Sequence, residues 1–115
     1  MKMSHRACLA AISLAMVIAA PVRAEGPSVK ITAPVDGATL DAMAENRIVY
    51  EVVPGHDGDH LHLYVDDEEA ALLRQLKGSH PLEGLTPGLH RLCIKVVNRN
   101  HTPIGLERCV KVKVE

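Results

Sequence analysis

From residue 28 to residue 114, apolar side chains recur at every second position in short runs, the period of a strand with one buried face. Val29 and Ile31 flank Lys30, while Ile48, Tyr50 and Val52 alternate with Val49, Glu51 and Val53. Leu61, Leu63 and Val65 alternate with His60, His62 and Tyr64. Leu92, Ile94 and Val96 are set against Cys93, Lys95 and Val97, and Val110, Val112 and Val114 against Cys109, Lys111 and Lys113. Turn residues cut the chain between these runs, at Pro34-Val35-Asp36-Gly37, Pro54-Gly55-His56-Asp57-Gly58, Lys77-Gly78 and Thr86-Pro87-Gly88. Residues 68–76 read either as a strand or as a short helix leading into one. With a further short run at 79–84 the pattern predicts an all-β fold, an antiparallel sandwich of about seven strands in the immunoglobulin or fibronectin manner.

The cysteines fix a register for the last hairpin. If Cys93 faces Cys109, then Lys95 falls opposite Glu107, a favourable cross-strand charge pair, and the turn centres on His101. A disulfide there would join neighbouring strands on an outward face and contribute roughly 3 kcal/mol by constraining the unfolded chain. Two free thiols are the alternative.

Residues 1–24 have the composition of a cleavable export leader. Lys2 and Arg6 precede the apolar run Cys8–Ala20, and Val22-Arg23-Ala24 offers a small-x-small cleavage site before Glu25. The folded domain is then 25–115, one compact unit addressed to the periplasm or beyond, where a disulfide persists. No later apolar run approaches the length of a membrane span. Removing Lys2, Arg6 and Arg23 from the 13 basic residues leaves ten against 14 acidic ones. That balance excludes nucleic acid as a partner, because phosphate binding needs a basic stripe. Tyr50 and Tyr64 are the only aromatic side chains of the Phe, Tyr, Trp class, which also argues against stacking platforms.

Six histidines follow the leader: His56, His60, His62, His80, His90 and His101. His60 and His62 leave one face of their strand about 7 Å apart, a gap two imidazoles can close onto one ion. In a sandwich of this topology the loop holding His56, Asp57 and Asp59 and the hairpin loop holding His101 lie at the same end. The expected metal site is therefore His60, His62 and His101, with His56 or Asp59 in support. His80 and His90 are expected at the other end. Imidazole and oxygen donors without thiolate suit Cu(II), Zn(II) or Ni(II) rather than Cu(I) or a blue-copper centre. The alternative is that the paired histidines merely solvate an exposed face.

Asp57-Gly58-Asp59 and Asp66-Asp67-Glu68-Glu69 offer hard oxygen donors, but neither completes a calcium loop, and the second run is expected too far along its strand to cooperate with the first. Catalysis has little support. Ser28 and Ser79, the serines outside the leader, sit in no nucleophile setting, and the carboxylates lie on charged turns.

Three segments together, Gly58-Asp59-His60-Leu61-His62-Leu63-Tyr64-Val65-Asp66, Leu85-Thr86-Pro87-Gly88-Leu89-His90 and Asn98-Arg99-Asn100-His101-Thr102-Pro103, resemble a family of small exported bacterial domains of unknown function. The likeness covers nearly all of residues 28–114. It implies an immunoglobulin-like fold and a periplasmic address, and no activity. Asp67 stands where such domains often carry Gly, so the turn there is expected to differ. The sequence thus predicts a monomeric binding module. It is either a metal-binding one or a metal-independent module that meets an envelope protein partner through its sheet edges or acidic end.

Overall fold

A computed structural model describes Met3, residues 10–18 and residues 26–115. Most of the leader expected over residues 1–24, including the cleavage point after Ala24, lies outside the described residues. Among those described there is no helix, and so none long and apolar enough to cross a membrane.

Eight strands form two sheets: β1 (Ser28–Ala33), β2 (Thr39–Leu40), β3 (Asn46–Val53), β4 (His60–Val65), β5 (Glu68–Leu73), β6 (Lys77–Leu82), β7 (Gly88–Val97) and β8 (Pro103–Val114). One sheet has the order β1-β3-β6 and the other β2-β8-β7-β4-β5. Seven of these are the expected strands. The eighth, β2, is two residues long and runs parallel to β8. Residues 68–73 are strand, not helix, because β4 turns directly into β5. Asp66 and Asp67 both have positive φ, 51° and 66°, the pattern of a tight hairpin turn whose twist suits the strands it joins. Asp tolerates that left-handed geometry, so the turn forms without glycine.

The alternation read from sequence becomes the core. Val29, Ile48, Tyr50, Val52 and Leu82 of the smaller sheet pack against Leu61, Leu63, Leu73, Leu92, Ile94, Val96, Val110, Val112 and Val114 of the larger. Each fully buried aliphatic side chain contributes about 1.5–3 kcal/mol.

Cys93 pairs with Cys109 and Lys95 with Glu107 in the β7–β8 ladder, and the two sulfurs are bonded. The register then shifts. Lys95 faces Glu107 but Val97 faces Pro103, so β8 carries two more residues than β7 across this interval. The turn therefore centres on Asn100, not on His101 as the unbroken register predicts. Gly105, within the extra stretch, has φ of 88°, a conformation that a side chain would strain.

Two loops are brought to one end. The β3–β4 loop is tied to the hairpin by Asp59 N–H donating to the Val97 carbonyl at 2.9 Å. Gly58 makes the approach: a Cβ there would stand 2.5 Å from the Pro54 oxygen and 2.7 Å from Val96 Cγ1.

Candidate metal centre

His60 and His62 project from the outer face of the larger sheet, yet each is only 3% exposed. The alternative reading, in which the pair merely solvates an exposed face, does not fit these two rings. Burial arises because β4 is flanked on both sides, by β7 and β5, and because the hairpin loop lays His101 over it.

That loop is built locally. The Asn98 side-chain oxygen accepts from the N–H groups of Asn100 at 2.9 Å and Thr102 at 3.1 Å, while His101 N–H donates to the Asn98 carbonyl at 3.0 Å. His101 itself has φ of 61°. Histidine is among the residues enriched there, but a non-glycine left-handed residue still costs about 1 kcal/mol or more, so the surroundings hold it in place. The result aims Nδ1 of His101 at the strand pair.

Three nitrogens meet. His60 Nε2 lies 3.1 Å from His62 Nε2 and 2.9 Å from His101 Nδ1, and His62 Nε2 lies 3.2 Å from His101 Nδ1. The rings fan around this point, with centroids 4.6–5.4 Å apart. Protons alone cannot satisfy the arrangement. The other nitrogen of His60, Nδ1, lies 2.9 Å from an Asp59 carboxylate oxygen, which fixes the N–H on that side and leaves Nε2 as a bare lone pair. One lone pair accepts one good hydrogen bond, so a third nitrogen at this distance has no partner. A cation at the centre would satisfy all three at once.

A carboxylate stands behind the His62 ring as well, but without a hydrogen bond. The ring's Nδ1 is buried, and the nearest charge is the Glu69 carboxylate at 3.4 Å. Burial pushes the His62 pKa below the ordinary imidazole value; Glu69 opposes that shift, and His60 and His101 add to it. The ring is thus held neutral near pH 7, the form that can bind a metal. Carboxylates behind metal-binding imidazoles orient the ring and raise its basicity.

Of the residues singled out by sequence, the fold brings His60, His62 and His101 together. Asp59 stands behind His60, on the nitrogen away from the meeting point. His56 is not brought there: its side chain is fully exposed, with Asp57 as its neighbour at 3.4 Å. His90 is engaged elsewhere, by Asp66 and the Thr86 carbonyl, and His80 lies on β6 of the other sheet. Glu69, at 3.4 Å from His62 Nδ1, was overlooked as a neighbour of the histidines. The tight turn at Asp66-Asp67 pairs Val65 with Glu68 and Tyr64 with Glu69, so Glu69 reaches diagonally to His62 on the same face. Counting that hairpin's register from the turn finds it.

Along the same face from the histidines, the Lys95 ammonium sits 4.4 Å from the centroid of the Tyr64 ring and 3.7 Å from Glu107. Tyr64 in turn pairs with Cys93, whose disulfide holds the arms of the His101 hairpin.

No family model and no curated protein matches the chain. Solved structures do. Fibronectin(III)-like modules of CbhA from Clostridium thermocellum share 17% identity over 76% of this chain and 95% of theirs, with a TM-score of 0.61. An engineered protein shares 19% identity over 77% of this chain and 20% of its own, with a TM-score of 0.55. An extracellular domain from B. thetaiotaomicron shares 13% identity over 81% of this chain and 16% of its own, at a TM-score of 0.51. Likeness at such identities speaks for architecture alone, and it identifies the fold of this chain as an immunoglobulin or fibronectin-like β-sandwich.

Proposed function

We propose that this protein is a non-enzymatic metal-binding module of the bacterial periplasm that holds Cu(II) or Zn(II) on His60 Nε2, His62 Nε2 and His101 Nδ1. The observation that carries the reading is the convergence of three imidazole nitrogens, 2.9–3.2 Å apart, two of them on buried rings backed by carboxylates. For metal–nitrogen bonds of about 2.0–2.1 Å, tetrahedral ligands stand about 3.3–3.4 Å apart, so a shift of a few tenths of an ångström admits the ion. Neutral nitrogen donors favour these borderline cations over Ca²⁺ or Mg²⁺, and the absence of a thiolate in the cluster disfavours Cu(I). An oxidising compartment agrees with the Cys93–Cys109 bond and with the leader read from residues 1–24.

The test is metal analysis of untagged protein purified from a periplasmic extract, followed by calorimetric titration with Cu(II) and Zn(II). One equivalent is expected to bind the wild type, and none the His60→Ala, His62→Ala double variant. Equal uptake by the two proteins would remove the reading.

A further inference from the structure

We infer that the ion keeps a coordination position facing away from the three histidines, and that this position takes a small monodentate anion. The inference rests on the metal reading above and concerns what the site does with its ion.

Nitrogens 2.9–3.2 Å apart, with bonds of about 2.0–2.1 Å, subtend angles of roughly 90–105° at the ion. A flat three-coordinate ion would need 120° and a wider triangle. The ion therefore stands above the plane of the nitrogens as the apex of a pyramid. All three protein donors lie on one side of it, and the other side requires at least one further ligand.

Among the described residues, no fourth histidine, cysteine or carboxylate joins the cluster. The two carboxylates close enough to matter stand on the far side of the rings. Asp59 bonds the far nitrogen of His60 and faces Arg99 at 3.7 Å, and Glu69 stands at the far nitrogen of His62. Each is behind its ring, where it cannot also reach an ion bound at the front. Closed structural zinc sites supply four protein ligands, whereas sites with three leave the fourth to water or an exogenous ligand.

Three neutral imidazoles leave the dication uncompensated in its own shell, so an anion is preferred over a neutral donor on the ion's open side. Access comes from the His101 side, since His60 and His62 are buried and His101 is an exposed residue of the hairpin loop.

The experiment loads the protein with Co(II), whose visible absorption reports coordination number, and titrates azide. The expected result is a saturable change in the visible bands with one azide per cobalt, the cobalt remaining bound when its content is measured after gel filtration. Bound cobalt with bands that do not respond to azide would overturn the open position while leaving the three-histidine site standing. Azide that only strips the cobalt would overturn it too. Failure of the wild type to bind Co(II), Zn(II) or Cu(II) at all would remove the metal reading, and the inference with it.

Discussion

A metal site of the kind proposed would impose a cost on the protein without its metal, and His62 is where that cost can be measured. Its ring is 3% exposed, its Nδ1 has no hydrogen bond, and its Nε2 abuts two other imidazole nitrogens that cannot all be satisfied. Leaving a buried polar atom unpaired costs about 1–3 kcal/mol. Leucine has nearly the volume of histidine and would leave no cavity between Tyr64 and Leu72, so His62→Leu removes the cost while keeping the packing. In EDTA the variant is expected to be more stable than the wild type by about 1–2 kcal/mol, at about 4–8 °C of Tm per kcal/mol for a domain of this size. Metal reverses the order. At a hundredfold excess over its Kd, a bound ion stabilises the wild type by about 2.7 kcal/mol, and the variant gains nothing. Urea denaturation followed by circular dichroism, in EDTA and in Zn(II), reads both halves. A His62→Leu protein less stable than wild type in EDTA would refute the reasoning about burial, and equal stabilisation of both by Zn(II) would refute the site.

Three other predictions follow from named contacts. Asp59→Asn keeps the shape behind His60 but weakens its hold on the N–H tautomer, so metal affinity by calorimetry is expected to fall about 10–100-fold with stoichiometry unchanged, whereas His56→Ala is expected to change neither. Replacing Cys93 and Cys109 by alanine opens a loop of sequence separation 16 and is expected to cost about 3 kcal/mol in urea denaturation. The third concerns pH. The Asp66 carboxylate, then the Thr86 carbonyl, hold the His90 pKa above its ordinary value, and the Arg91 backbone N–H, then His90, hold that of Asp66 below its own. The histidine's contribution is complete below about pH 6.5 and is lost as pH rises through its elevated pKa; the aspartate's is complete above about pH 3.9 and is lost as pH falls through its depressed one. The pair is therefore worth most between those values. Asp66→Asn, which keeps the acceptor for Arg91 N–H and tolerates positive φ, is expected to destabilise near pH 5–6 and to flatten the decline towards pH 9. Identical pH profiles for the two proteins would remove the claim.

The sequence was informative where local geometry is sufficient. Alternating side chains are a property of any strand, so the runs around Ile48, Leu61, Ile94 and Val112 located strands and their buried faces together. Two cysteines and a Lys95–Glu107 match set the β7–β8 register correctly over most of its length. The same reasoning failed at its end, because the two extra residues on β8 near Gly105 leave no mark in the alternation.

What the sequence alone determined is a β-sandwich with histidines at one end, since strand period, turn residues and pairing register are written in neighbouring positions. The tertiary structure decided everything finer. It buried His60 and His62 on a face whose pattern looks exposed, placed Glu69 behind one ring and Asp59 behind another, and left His56 outside. Those outcomes depend on which strands flank β4 and on how a left-handed residue in a distant hairpin points its ring. Whether three imidazoles share a point is a matter of distances between remote segments, and no local pattern encodes it.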